Sequence, residues 1–203
     1  MRRAIVAVAA ALALGGCPPR GAVKPTPVSG AAAPTAEATW RTLRAEHRVA
    51  LTVDLEGGKV EKRSLRGLIA VERPDKLRLR ALGPGGVTLF DLVVAGGKVA
   101  VKEAIRDPNS ATMRPLLAAL AGDLQAAFLL QPSPEGRTVT VEGDAVVVRE
   151  PDRTVRLEAW ERAGAHAVPA RIVIDNRARR YHVVVDSRDV ELDSTLDPAL
   201  FSE

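Results

Sequence analysis

Apolar and polar residues alternate along much of the chain, and this pattern restricts the fold more than any other feature of the sequence. The alternation is clear from Val49 to Leu55 and again from Leu77 to Ala81. Because successive side chains of a β-strand point to opposite faces of a sheet, it predicts strands with one apolar face. Glycine pairs at Gly57-Gly58 and Gly96-Gly97 follow such runs and predict hairpin turns. We therefore expect an antiparallel sheet.

Further extended runs bring the predicted sheet to roughly ten strands. They are Val60 to Val71, Val87 to Val94, Lys98 to Ala104, Arg137 to Glu142, Ala145 to Arg149, Thr154 to Trp160, Val168 to Ile174 and Arg180 to Leu192. The Val87 run is apolar on both faces, so both should be covered by other parts of the protein. A sheet of this size must curl on itself or split in two to bury its edges, and curling leaves a concave interior. The fold class is mainly β, of the α+β type.

Two segments have the spacing of helices instead of strands. Thr35 can cap a short helix whose apolar face holds Ala36, Trp40, Leu43 and His47. Ser110 can cap a second helix that runs to Phe128 with a break or bend at Gly122-Asp123. An apolar stripe of this kind usually packs on a sheet face. The more specific hypothesis is a mobile lid formed by Met113, Leu116, Leu117, Leu120 and Phe128.

The start of the chain has the composition of a secretory signal peptide. Met1-Arg2-Arg3 supplies positive charge, Ala4 to Leu14 is an uninterrupted apolar run, and Gly15-Gly16 provides the small residues that a signal peptidase requires. The apolar run is too short to cross a bilayer, which needs about 20 residues. We therefore predict that residues 1–16 are a signal peptide that is removed.

The only cysteine of the chain, Cys17, comes directly after these glycines. A buried or disulfide-bonded cysteine is the alternative to modification, but a lone cysteine has no disulfide partner within the chain. The sequence Leu14-Gly15-Gly16-Cys17 is similar to the bacterial lipobox. That resemblance implies that the Cys17 thiol receives a diacylglycerol, with acyl chains such as palmitate holding the mature protein on a membrane.

The residues after Cys17 predict a tether and then one domain. Pro18 to Pro34 consists almost entirely of small residues and prolines, which cannot form a core. We therefore expect a tether over residues 17–35 and a folded domain over residues 36–203, with no later apolar run long enough to cross a bilayer. The net charge of +4 includes two arginines of the signal peptide, and aromatic residues are only 3% of the chain. These values argue against nucleic acid as a partner.

Motifs for catalysis or metal binding do not occur in the sequence. His47, His166 and His182 are far apart and have no metal-binding spacing around them. There is no Gly-x-Ser-x-Gly elbow and no phosphate-binding loop, and Gly83-Pro84-Gly85-Gly86 predicts a turn between two strands. We expect no enzyme activity, no metal and no cofactor. A hydrolase stays open only if the fold brings a histidine beside a carboxylate, or a serine into a cleft.

Two stretches connect these elements to a known family. Leu77 to Gly86 is a strand that ends in a Pro-Gly-Gly turn, and Val168 to Asp175 is a strand with an early proline, followed by a short turn and a final strand from Tyr181 to Val190. In order and spacing, residues 36 to 202 resemble the LolA/LolB superfamily of periplasmic lipoprotein-sorting proteins. The resemblance implies a strongly curved antiparallel sheet of roughly ten to eleven strands, closed into a half-open barrel with an N-terminal helix and an inserted helical lid.

The resemblance also implies a ligand and a location. The apolar cavity would receive acyl chains of lipids or of other lipoproteins, brought by a periplasmic carrier protein, and the chain would face the periplasm from the outer membrane. The residues predicted to line the cavity are Val49, Leu51, Val53, Leu77, Leu79, Phe90, Leu92, Ile172 and Ile174. Receptors of the LolB type have a bulky apolar residue where this chain has Gly85, which argues against membrane insertion by that loop. The alternative is the same fold with a filled core, serving as a structural or interaction subunit of an envelope assembly.

Overall fold

A computed structural model describes residues 26–27, 40–54, 56–104, 113–129, 137–163 and 166–202. Its strands are β1 (Thr26–Pro27), β2 (Thr42–Asp54), β3 (Val60–Glu72), β4 (Lys76–Leu82), β5 (Thr88–Ala95), β6 (Lys98–Ala104), β7 (Thr138–Glu142), β8 (Ala145–Arg149), β9 (Arg153–Ala163), β10 (His166–Asn176) and β11 (Tyr181–Leu192). The helix α1 (Met113–Leu129) lies between β6 and β7 in sequence. Short 3-10 turns occupy Glu56–Gly58, Pro84–Gly86 and Pro198–Phe201. The predicted strands after Val49 are confirmed, with small shifts in their bounds.

Strands β2 to β11 form one antiparallel sheet in the order β6-β5-β4-β3-β2-β11-β10-β9-β8-β7. Neighbouring strands in this order are consecutive in sequence and pair as hairpins, as the turn residues predicted, except where β2 pairs with β11 and joins the first half of the sheet to the second. The two-residue strand β1 lies off this path and pairs with β9. The sheet therefore stays in one piece, and β6 and β7 are the ends of the described strand order.

α1 packs on one face of the sheet and reaches both of its halves. The Gln125 side chain donates to the carbonyl of Asp75 in the β3–β4 turn (2.8 Å), and Asp123 accepts from the Asn176 amide at the end of β10 (2.8 Å). The apolar side of α1 is buried in the same cluster as residues from both halves of the sheet. We term the sheet surface that faces α1 the concave face, and the region that this surface borders the hollow.

The predicted N-terminal helix is wrong over the residues that the structure describes. Leu43 and His47 lie within β2, where alternate side chains from Leu43 to Val49 are buried. Their spacing fits a strand as well as a helix. The segment forms a strand because β2 pairs along its length with β3 and with β11, which satisfies its backbone hydrogen bonds on both sides. Trp40 precedes β2, and Ala36 lies outside the described residues.

Of the break or bend predicted at Gly122-Asp123, the break is wrong, because α1 is continuous from Met113 to Leu129, and the bend stays a prediction. A glycine inside a helix costs only about 1 kcal/mol relative to alanine. Asp123 does not cap a new turn, and its carboxylate instead forms buried hydrogen bonds with the sheet. Among the described residues, no helix combines the length and apolar character needed to cross a bilayer.

After β11 the chain returns over the outer face of the sheet, and we term residues 193–202 the C-terminal segment. Asp193 donates its backbone N–H to the Thr42 carbonyl (2.9 Å), and the Thr42 hydroxyl donates to the Ser194 carbonyl (2.7 Å). At the other end Phe201 is buried, with the Lys76 ammonium 5.7 Å from its ring centroid. The turn Pro198–Phe201 contacts β4 and β5. The C-terminal segment therefore covers the outer face of β5, which is apolar and was expected to be buried.

Candidate functional site

The residues predicted to line the cavity all lie on the concave face. Directly opposite residues of an antiparallel pair point to the same side of the sheet. In the first half, Leu79 of β4 lies opposite Leu92 of β5. In the second half, Ile174 of β10 lies opposite Val183 of β11, which in turn faces Leu51 of β2. The sequence thus predicted which residues share this surface, and their role in binding a ligand stays a prediction.

Much of the concave face is covered by α1. Of the predicted lining residues, Leu51 and Phe90 are half-buried. The others are buried, namely Val49, Val53, Leu77, Leu79, Leu92, Ile172 and Ile174. From the predicted lid, Leu117, Leu120 and Phe128 belong to the same buried cluster and Leu116 is half-buried against it, while the side chain of Met113 lies outside the described set. This arrangement favours the packing interpretation, and a mobile lid stays a prediction.

A buried polar cluster attaches α1 to the second half of the sheet. Asp123 is 6% exposed and accepts hydrogen bonds from Arg153, from the Asn176 amide and from the Tyr181 hydroxyl. Arg153 also donates to Glu150 (2.6 Å). Burial and the hydrogen bond to Asp123 raise the pKa of Tyr181, so this hydroxyl keeps its proton. Since a buried carboxylate is tolerated only when it is paired and hydrogen-bonded, a helix that opened as a lid would have to leave these partners.

His47 lies at the middle of β2 on the concave face, beside the helix. Its Nδ1 is 3.1 Å from the Ser187 hydroxyl, and its ring meets the Phe128 ring edge-on with centroids 5.8 Å apart. Its Nε2 has no hydrogen-bond partner in the described part of the chain. Burial lowers the pKa of His47 to about 3. The ring is therefore neutral near pH 7.

The contact between Ser187 and His47 is relevant to the hydrolase alternative, which required a histidine beside a carboxylate or a serine in a cleft. In nucleophilic catalysis a third group orients the histidine, and substrate must reach the serine. Here Ser187 is 9% exposed and His47 is 3% exposed. The free nitrogen of His47 meets no carboxylate among the described residues, and within this part of the chain no three metal-ligating side chains cluster. The geometry is that of a core contact.

The concave face ends in exposed valines on both edge strands. On β7, Val139 and Val141 lie opposite Val148 and Val146 of β8, on the concave side, yet they are 51% and 61% exposed. On β6, Val99 also faces this side and is 37% exposed. The alternating pattern indicated strands here but not that they would be edges. Sequence reasoning therefore missed these residues, and only the strand order identifies them.

The predicted anchor lies outside the described residues, as does most of the tether. Within the tether, Thr26 pairs with Arg162 and Pro27 with Glu161 of β9, so a part of it is attached to the domain. The β4–β5 turn is formed as predicted. Gly85 adopts φ 72° there, a left-handed conformation that favours glycine over any bulky residue.

Comparisons with known proteins give no match to a protein-family model and no match among curated proteins. Solved structures that align with the chain include the following three. A LolA superfamily protein from Nitrosomonas europaea has a TM-score of 0.48 at 10% identity, over 81% of this chain and 91% of that chain. A DUF1329 family protein from Desulfovibrio piger has a TM-score of 0.38 at 13% identity, over 81% and 91%. A domain from Vibrio parahaemolyticus, provisionally named for outer membrane lipoprotein sorting, has a TM-score of 0.40 at 9% identity, over 80% and 90%. At these values the function has to be argued from the residues of the chain itself.

Proposed function

We propose that this protein is a membrane-anchored lipoprotein that binds acyl chains of lipids or of other lipoproteins in its hollow, with a role in lipoprotein localisation to the outer membrane. We propose a binding protein and not an enzyme. The observation that carries the proposal is the apolar concave face, which extends from the buried centre to Val99 on one edge and to Val139 and Val141 on the other. Exposed apolar side chains that continue a larger apolar surface are typical of a binding surface.

A hydrocarbon chain matches the chemistry of this surface. Its binding free energy would come from buried apolar area, at about 25 cal/mol per Å². This term has no directional requirement, so the hollow would accept acyl chains of several lengths and single substitutions would weaken binding gradually. The half-buried side chains of Leu51 and Phe90 are the contacts we assign to the inner part of the ligand.

The anchor would keep this surface beside the membrane. If Cys17 is acylated, the strand β1 begins nine residues later, at Thr26. A fully extended chain covers at most about 3.6 Å per residue, so this link spans about 30 Å or less. Since β1 pairs with β9, the anchor would also limit how the domain can turn. A lipoprotein delivered by a periplasmic carrier would then be released close to the membrane that receives it.

The edge valines give a direct test of this proposal. We would express the chain with Cys17→Ser, so that it cannot be acylated, and titrate it with a fluorescent fatty acid. The double substitution Val139→Asp with Val141→Asp should weaken binding by about tenfold or more, because charge at these positions excludes hydrocarbon. Lipid that co-purifies with the parent chain, detected by mass spectrometry, should decrease in parallel.

Val60 provides a matched control. It has the same residue type and an exposure of 51%, equal to that of Val139, but it lies opposite Asp54 on the outer face of the sheet. Val60→Asp should therefore leave fatty-acid binding unchanged. Equal binding by the parent chain and the double variant would contradict the proposal, as would a parent chain that neither carries lipid nor binds the probe.

A second candidate is a structural or interaction subunit of an envelope assembly. The burial of Leu117, Leu120 and Leu124 against the concave face favours it, because the protein itself fills the centre of the hollow. In-cell crosslinking from Val141, through a photoreactive residue placed there, distinguishes the two. Acyl binding predicts adducts with many different lipoproteins, whereas a structural subunit predicts adducts with one stable protein partner.

A further inference from the structure

A cleft lies on the outer face of the sheet, on the side away from the hollow. It lies where the C-terminal segment passes over β3 and β4, and its volume is about 380 Å³. Ligand sites typically measure about 300–1,000 Å³. Leu68 and Ala70 form the floor, and Leu196 and Leu200 form the wall. Leu68 is 37% exposed, so the floor presents apolar surface that the C-terminal segment leaves uncovered.

The C-terminal segment is held at both ends of the cleft. At one end Ser194 accepts from the Thr42 hydroxyl (2.7 Å). At the other end the Leu200 carbonyl accepts from Arg78 (3.3 Å), and Phe201 is buried next to Lys76. The cleft between these attachments is therefore part of the folded structure.

Three arginines line the cleft, and two of them, Arg44 and Arg80, form no ion pair among the described residues. Arg78 is paired with Asp91 through two hydrogen bonds of 2.9 and 2.6 Å. Arg80 donates to an uncharged partner, the Thr88 hydroxyl (3.0 Å). Arg44 has no ion pair or hydrogen bond within the described residues. The guanidinium groups of Arg44 and Arg80 are thus available for an anion.

The residues that line the cleft include fewer acidic groups than arginines. Asp197 is the acidic residue among the lining residues, and one of its oxygens accepts from the Ala199 backbone N–H (2.9 Å). Glu191 lies opposite Arg44 in the sheet, and Glu46 lies opposite Leu68, but neither lines the cleft. The lining therefore keeps a positive balance.

We propose that this cleft binds an anionic amphiphile, with Arg44 and Arg80 holding a phosphate or carboxylate head group and Leu68 and Leu196 covering the adjoining hydrocarbon. The planar guanidinium fork of arginine suits both kinds of oxyanion. A free anion would leave the apolar floor exposed to water, and an uncharged lipid would leave both arginines without a partner. The site is separate from the hollow and does not depend on acyl binding there.

Calorimetric titration of the full chain carrying Cys17→Ser tests this assignment. The probes are dihexanoyl phosphatidate, uncharged dihexanoylglycerol and inorganic phosphate. The phosphatidate should bind most tightly. Arg44→Gln with Arg80→Gln should weaken its binding by about tenfold or more, since each charge-assisted hydrogen bond contributes substantially. Asp197→Asn should strengthen binding, because it removes the opposing charge and keeps an oxygen for the Ala199 cap.

Arg66→Gln is the matched control for the arginine variants. Arg66 is exposed on β3 and lies opposite Leu82 on the same outer face, but it does not line the cleft. The variant should bind the phosphatidate as the parent does. The proposal would be overturned if Arg66→Gln weakened binding as much as the double variant, or if inorganic phosphate or dihexanoylglycerol bound as tightly as the phosphatidate.

The variants used to test the hollow also show whether the phosphatidate binds in the cleft or in the hollow. Val139→Asp with Val141→Asp should leave phosphatidate binding intact, and Arg44→Gln with Arg80→Gln should leave fatty-acid binding intact. Phosphatidate binding that is lost only in the valine variant would place the ligand in the hollow and overturn the cleft. Phosphatidate binding that does not change with Arg44→Gln, Arg80→Gln or Asp197→Asn would also overturn the cleft as the binding site.

Discussion

The concave face contains a histidine that the fold holds in its neutral form. His47 contacts Ser187 and Phe128, and its Nε2 has no partner among the described residues. A charge at this position would lie in an apolar surrounding without a counter-ion, which is unfavourable. The pKa of His47 therefore falls from 6.5 to about 3 through burial. The protein must lose stability when acid forces a proton onto this ring.

The first prediction concerns the pH dependence of stability. Below pH 6.5 the unfolded chain binds a proton at His47 that the folded chain does not bind until about pH 3. The free energy of unfolding should therefore decrease as the pH falls through this window, by about 3 kcal/mol between pH 7 and pH 4.5 for this residue. Urea denaturation at the two pH values measures it. His47→Gln, which cannot titrate, should remove most of this dependence.

His182 serves as the control for this prediction. Its side chain is 44% exposed, and its Nδ1 lies 2.6 Å from the Asp175 carboxylate. His182→Gln should leave the acid-induced loss in place. If His182→Gln reduced the loss and His47→Gln did not, the assignment to the buried histidine would be wrong.

Among the elements, α1 is the one that decides how much of the hollow is open. Its apolar side is buried against the sheet, and its polar side chains bind both halves, through Asp123 to Asn176 and through Gln125 to Asp75. Both bonds start from the same turn of the helix. This turn is thus the point at which α1 is fixed, and the Asp123 cluster is the stronger attachment because it is charged and buried.

The second prediction is that Asp123→Asn releases this attachment. The substitution keeps the size of the side chain but removes the charge that pairs with Arg153, and breaking a buried ion pair costs roughly 3 kcal/mol or more. The urea midpoint should fall accordingly, and limited proteolysis should cut within residues 113–129 faster than in the parent. Asp144→Asn, in the exposed β7–β8 turn, should change neither quantity. An unchanged midpoint in Asp123→Asn would show that the cluster does not hold the helix.

At the scale of the molecule, two halves of one sheet are joined at a single seam. The seam is the pairing of β2 with β11, which brings together residues as far apart as Thr52 and His182. The helix adds a second connection, since it contacts both halves. With two connections and one continuous apolar cluster, neither half has a core of its own.

The third prediction is that both halves unfold in one transition. The chain has two tryptophans, and they report on different halves. Trp40 is buried beside β2, with the Arg73 guanidinium 4.5 Å from its ring, and Trp160 is buried in β9. In Trp40→Phe and in Trp160→Phe, the fluorescence of the remaining tryptophan reports on one half. For each variant, the urea unfolding curve followed by this fluorescence should coincide with the curve followed by circular dichroism. A fluorescence transition that precedes it in one variant would show that the halves unfold separately.

The strands and their faces could be predicted because period-two alternation is a local property of the sequence. Leu79 and Leu92 were assigned to one surface in this way, and their pairing confirms it. Alternation fails where the backbone departs from a regular strand. Ala159 should share the buried face with Leu157, but its φ of 50° disrupts the alternation, so Ala159 is exposed and Trp160 is buried.

Local patterns were sufficient to predict the antiparallel hairpins, the apolar face of the sheet and the helix between β6 and β7, because each depends on the spacing of residues close in the chain. Tertiary structure alone decided that Leu43 and His47 belong to a strand, that β6 and β7 form edges with exposed valines, and that the C-terminal segment encloses a cleft with arginines on its border. Each of these depends on which distant segment supplies the neighbouring backbone or side chain. Local periodicity is the same whether a strand pairs on both sides or on one, so no pattern along the chain contains that information.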